Sequence, residues 1–76
     1  MSQWMPCKRK DFIRRLRNIG FDGPFSGTRH QFMVYNQRRL AIPSNAEYSI
    51  PQLRFMIREV ETIIDRQITA DEWSSL

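Results

Sequence analysis

The chain is poor in the residues that build metal sites and cross-links. It has one cysteine, Cys7, and one histidine, His30, among 76 residues. A single thiol excludes an internal disulfide framework, and one Cys with one His excludes a zinc-finger site. Long apolar runs are also missing. Stretches such as Phe55-Met56-Ile57 fall far short of the roughly 20 residues a membrane span needs. The opening MSQWMPCKRK lacks the apolar core of a secretory signal, so a cytoplasmic protein with no membrane partner is expected. At this length surface dominates volume. A deep cofactor cleft or a two-domain enzyme is therefore not expected, and no cofactor or metal is.

What is present is charge, unevenly placed. Residues 1–58 hold eleven basic residues against Asp11, Asp22 and Glu47, a net of +8. Residues 59–76 hold Arg66 against Glu59, Glu61, Asp65, Asp71 and Glu72, a net of −4. Ten of the 12 basic residues are arginine. Arginine grips phosphate with a planar fork, whereas lysine offers a point charge. A basic body of this kind suggests a phosphate-bearing partner, most simply nucleic acid. The competing explanation is a solvated surface kept for solubility.

Spacing predicts the elements. Residues 1–6 are expected to fray, with Trp4 able to pack locally. Phe12, Ile13, Leu16 and Ile19 recur at helical spacing, so a first helix is read over 7–19, ended by Gly20 in a left-handed cap. Phe21 to Ser26 is a short edge strand, because Pro24 is tolerated only at an edge or bulge. Arg29 to Tyr35 is a strand rich in aromatic and β-branched residues. Asn36-Gln37 turns the chain into a third strand, Arg38 to Ile42, making a hairpin. Ser49-Ile50-Pro51-Gln52 has the form of a capping box. The stripe Leu53, Met56, Ile57, Val60, Ile63, Ile64 then marks a helix over about 50–67. A second capping box, Thr69 to Glu72, opens a short helix over 70–75. The whole reads as one α+β domain over 1–76, with a core of about 8–67 and a C-terminal extension over 68–76. A three-stranded antiparallel sheet would carry both main helices on one face.

His30 is the first candidate for chemistry. It follows a glycine turn and opens the central strand, where a ligand can reach it while the strand fixes its position. Histidine titrates near neutrality and can serve as general acid or base. Beside a ribose 2′-OH it would drive attack on the adjacent phosphorus without a metal. Arg29 would neutralise charge on the phosphate, and Gly27 would let backbone approach it. Against this, period-two parity puts His30 on one face with Phe32 and Val34, the mark of a buried structural histidine. Met33 and Tyr35 are apolar too, so parity leaves both alternatives open.

The string Gly27-Thr28-Arg29-His30-Gln31-Phe32 resembles the glycine, small hydroxyl residue, variable residue, histidine stretch of the HicA toxins. The neighbours agree in order: a basic helix ending in Ile19-Gly20-Phe21, the strand after the histidine, Ile42-Pro43, and the helix from Pro51-Gln52-Leu53. The similarity spans roughly residues 8–66. It implies a small α-β-β-β-α domain like the double-stranded-RNA-binding fold, acting as an mRNA interferase of a toxin–antitoxin pair. It implies that His30 is catalytic, that Gly27 shapes its loop, and that a HicB-type antitoxin covers the active surface. Thr28 keeps the hydroxyl where the family more often has serine. Arg29 stands where many members have histidine or asparagine, and the tail beyond Ile68 exceeds the family's usual length.

Other residues carry two readings each. Arg14, Arg15 and Arg17 lie on the polar face of the first helix, for RNA-backbone contact or for solubility. Arg38 and Arg39 lie at the hairpin turn, to clamp phosphate, meet an acidic antitoxin, or simply charge the turn. Water or Tyr35 is a candidate for the acid on the leaving group. Cys7 is expected to be an inert residue at the helix start. Trp73 and Leu76 are expected to pack the tail onto the core, or to anchor a partner. The acidic tail is expected to lie toward the basic face and weaken RNA binding. A non-catalytic RNA-binding module of the same fold, or a protein that only docks an acidic partner, would use the same charges.

Overall fold

A computed structural model describes residues 1–76. Its elements are β1 (Cys7–Lys8), α1 (Arg9–Ile19), β2 (Asp22–Phe25), β3 (Gln31–Tyr35), β4 (Arg38–Ile42), β5 (Glu47–Tyr48), α2 (Ile50–Ile64) and α3 (Ala70–Ser74). The three-stranded antiparallel sheet runs β2-β3-β4, and β1 pairs with β5 in a separate two-stranded ladder. No helix is long and apolar enough to cross a membrane.

Helix α1 begins at Arg9, two residues later than its periodicity predicts. Cys7 and Lys8 are instead extended and pair with Tyr48 and Glu47. No side chain caps the helix start, but the Arg9 amide donates to the Ala46 carbonyl at 2.9 Å. Its end is as expected. Gly20 has φ 128, and its N–H and that of Phe21 reach back to Arg17 and Leu16, closing the turn.

β2 is the edge strand. It pairs Asp22 with Val34 and Phe25 with Phe32, and the register breaks between them at Gly23-Pro24. That bulge is where a proline belongs in a sheet. β3 and β4 join through Asn36 and Gln37, both at positive φ (48 and 70), as a two-residue hairpin turn requires. β3 begins at Gln31, so Arg29 and His30 lie in the bend before it and not within the strand.

The core resolves the parity question. Met33, Leu40 and Ile42 are buried and point at the helices, where they meet Phe12 and Leu16 of α1 and Leu53, Met56, Ile57 and Val60 of α2. Phe32 and Val34 therefore face the other way, since side chains alternate along a strand. The shortest dimension of the molecule is 17 Å, room for one helical layer and the sheet. The outer face of the sheet is left open.

Helix α2 starts as predicted, with the Ser49 hydroxyl accepting from the Gln52 amide at 3.3 Å. The Gln52 side chain does not reach back to complete the box; it donates to Asn45 Oδ1. The helix stops at Ile64, because Asp65 adopts a left-handed conformation (φ 60, ψ 41). The Thr69 hydroxyl caps α3 through the Glu72 amide at 3.1 Å. The tail packs as expected. Ile68 and Trp73 are buried in the same cluster as the helices, and the Trp73 ring lies 5.4 Å from that of Phe12. The first residues are held as well. The Ser2 amide donates to Asp71, the Ser74 hydroxyl donates to that of Ser2, and Arg54 lies over the Trp4 ring.

Candidate nucleic-acid interface

His30 sits in the loop between β2 and β3, and Gly27, Thr28, Arg29 and His30 are all exposed. The loop turns tightly because Gly27 has no side chain. A Cβ there would overlap the His30 carbonyl oxygen and stand 3.3 Å from the Phe32 ring. The glycine thus serves a close approach of the loop to itself. The buried alternative for His30 fails, because its neighbours Phe32 and Val34 are on the open face. The ion pairs of the molecule are Arg14–Asp11 and Arg66–Glu72, so Arg29 has no carboxylate partner.

Beside this loop the outer face of the sheet carries two rows of side chains. Asp22, Val34 and Arg39 stand opposite one another across the three strands; Phe25, Phe32 and Ala41 form the next row, nearer the loop. The Phe25 and Phe32 rings are 5.6 Å apart, tilted by 36°. The Arg39 guanidinium lies over Phe32, 4.4 Å from the ring centre, rather than pairing with Asp22. Phe25 remains 44% exposed.

The arginines singled out by sequence are spread over several surfaces, with Arg14 and Arg17 side by side on α1. Arg38 is on the helix side of β4 and donates to the Thr62 carbonyl at 3.2 Å, in the last turn of α2, where a cation is favoured. Arg39, its neighbour, is on the open face. Arg15 is half-buried, with its guanidinium 5.4 Å from the Trp73 ring and its Nε unpartnered. Arg14 donates to the Leu76 carbonyl at 3.1 Å and pairs with Asp11 at 3.5 Å. Arg17 stays exposed in a shallow concavity that it lines with Lys10, Ile13, Arg14 and Asn18. The tail therefore touches α1 through Trp73 and a carbonyl. Its carboxylates go elsewhere: Glu72 pairs with Arg66 at 2.8 Å, and Asp71 accepts from the Ser2 amide.

Tyr35 is at the far end of β3 from His30, roughly 16 Å away at strand rise. Its ring packs on Phe21, 5.2 Å centre to centre, on the helix side. It cannot serve as the acid for a group attacked at His30. Arg9 is the residue that sequence reading missed. It donates to the Gln31 side chain and to the Pro43 carbonyl, which places a cation next to the start of β3. The signal was its spacing: Arg9 precedes Phe12 by three residues and Ile13 by four, on the apolar side of α1.

Two buried groups hold their protons more tightly than usual. Burial pushes the Cys7 thiol up, and burial does the same for the Tyr48 phenol, whose hydroxyl donates to the Pro43 carbonyl at 2.6 Å. Such a thiol is a poor nucleophile. The structure contains no group of three or more His, Cys, Asp or Glu able to hold a metal ion. Comparison of the chain with family models, curated proteins and solved structures finds no match.

Proposed function

We propose that the protein is a HicA-like toxin, a metal-independent endoribonuclease that cuts mRNA with His30 and is neutralised by a HicB-type antitoxin. With the short β1–β5 ladder and α3 set aside, the remaining order α1-β2-β3-β4-α2 is the one that the double-stranded-RNA-binding-like fold would have. One observation carries the proposal: the only histidine is exposed in a glycine-dependent loop, at the edge of an open face that presents Arg39 and two aromatic rings.

In the proposed reaction the His30 imidazole accepts the proton of a ribose 2′-OH. The 2′-oxygen bonds to the adjacent phosphorus and the bond to the 5′-oxygen breaks. Water protonates that leaving oxygen. Arg29 offsets the charge gathering on the phosphate oxygens. A positioned base of this kind contributes about 10²–10⁴-fold.

The test is incubation of the pure protein with a defined mRNA in EDTA, beside His30→Ala. Cleavage by the wild type alone is expected. Loss of cleavage in EDTA would refute the metal-free mechanism, and equal cleavage by both proteins would refute the role of His30.

A second reading, an RNA-binding module without cleavage, draws on another observation. No other histidine is present to serve as leaving-group acid, and Tyr35 is at the wrong end of β3. RNA bound equally by wild type and His30→Ala, with neither cutting it, would favour the module.

A further inference from the structure

We infer that the outer face of the sheet is a stacking shelf for unpaired bases, so that the RNA partner is single-stranded. The inference rests on the RNA-binding proposal above and narrows it. An antiparallel sheet with one solvated face normally turns polar residues outward. Here that face presents Phe25, Phe32 and Val34. Their exposure has a cost unless something covers them.

The chemistry of the face specifies the cover. Phe25 offers an exposed ring. The Arg39 guanidinium sits over Phe32, 4.4 Å from the ring centre, on an exposed side chain that a base can meet from outside. Ala41, directly opposite Phe32, is short and raises no wall beside the shelf. Aromatic and guanidinium planes take a base of any identity, and the cation adds attraction to the phosphates. A purely apolar partner would bury the Arg39 charge without a counter-charge, which is unfavourable. A strand of RNA supplies both the flat apolar surface and the negative charge.

Location supports the same occupant. The row Phe25-Phe32-Ala41 is the one nearer the loop, and Phe32 lies against Gly27. A nucleotide stacked there has its phosphate within reach of the loop that bears Arg29 and His30. Asp22, the one acid of the face, stands in the farther row, on the side away from the loop. A duplex keeps its bases stacked inside itself and cannot use the shelf.

The experiment compares binding of three probes in EDTA: a single-stranded oligoribonucleotide, its duplex, and an abasic strand of equal length. Each is titrated against the wild type, Phe25→Ala and Phe25→Trp. Phe25 is on an edge strand and exposed, and circular dichroism checks the fold of each variant. The wild type is expected to prefer the single strand. Phe25→Ala is expected to lose about 5- to 100-fold in affinity for the single strand and nothing for the abasic strand. Phe25→Trp should keep the affinity, and the indole emission of residue 25 should be quenched on binding.

Three results would overturn the shelf. One is an unchanged affinity of Phe25→Ala for the single strand. Another is a wild type that prefers the duplex. The third is a wild type that binds no probe, which would leave the face to a protein partner. The shelf and the nuclease fail separately. RNA cleaved at full rate by Phe25→Ala, with its single-strand affinity unchanged, sinks the shelf alone. A Phe25-dependent single-strand affinity without any cleavage sinks the nuclease alone.

Discussion

The carbonyl oxygen of His30 occupies the space that a Cβ at residue 27 would need. The neighbour is backbone, so a substitution at Gly27 must move the loop itself. Gly27→Ala is therefore expected to displace His30 and lower cleavage by about 10²-fold, the order that small misplacements produce. The loop is exposed, so the fold should lose only about 1 kcal/mol, a fall in Tm of about 4–8 °C. Cleavage kinetics beside thermal melting check this. A fall in Tm with unchanged cleavage would show that the loop geometry does not matter to the chemistry.

Arg38 and Arg39 are neighbours in sequence and face opposite sides of the sheet. Arg39→Gln should weaken single-strand binding by about 3- to 10-fold and reduce its salt dependence. Arg38→Gln should leave binding unchanged and lower stability by about 0.3–1 kcal/mol, through the lost contact with the last turn of α2. Paired binding and urea titrations separate the two. Equal losses of affinity would contradict the assigned orientations.

Trp73 belongs to the core and not to an appendage. A buried tryptophan cut to alanine costs about 3–5 kcal/mol. A domain of this size has only about 4–11 kcal/mol in all. Trp73→Ala should therefore remove a large share of the stability, as urea denaturation would reveal. Charge in the tail is a separate matter. Asp71 and Glu72 are engaged with the Ser2 amide and Arg66, so Asp71→Asn with Glu72→Gln should leave low-salt RNA affinity nearly unchanged. A marked rise in affinity would mean that the tail shields the basic body after all.

Stability should fall at both ends of the pH scale. The hydrogen bond from Arg66 holds the Glu72 carboxyl below its ordinary value. A depressed acid stabilises the fold above its unfolded value near 4.5, and that contribution is lost as pH falls through the folded value. Arg66 is exposed and Glu72 only partly covered, so the acid limb is shallow and salt-sensitive. Cys7 and Tyr48 behave the opposite way. Their raised values mean that the fold keeps protons the unfolded chain releases. Their stabilisation is complete below the ordinary 9.0 and 10.0 and is lost as pH rises through the folded values. Melting temperature against pH should show both limbs. Glu72→Gln should remove part of the acid limb and leave the alkaline one intact.

Local signals made much of the fold legible. Ser49, Pro51 and the stripe from Leu53 to Val60 announce α2, and Gly20 announces the end of α1. The β1–β5 ladder was not legible, because it joins two-residue strands whose partners Cys7 and Tyr48 are 41 positions apart, with no local pattern. The orientation of β3 was hidden for a more informative reason. Phe32, Met33, Val34 and Tyr35 are all apolar, so alternation is erased. The strand looks buried on both faces because its open face carries the residues that we assign to base stacking. The turn at Gly27 is legible in its residues; that Arg29 and His30 stay in the bend before β3 is not, because they run on into the strand's apolar stretch without a break signal. The split of the arginines among helix end, tail and open face is not legible either, since it depends on which side of each element meets the core.

The chain's one thiol is buried in the short ladder that ties β1 to β5. Cys7 is 4% exposed and stands opposite Tyr48, which is fully buried. A thiol reagent can reach Cys7 only when this ladder opens. The rate of covalent labelling at one site therefore times the opening of the β1–β5 ladder in the native protein.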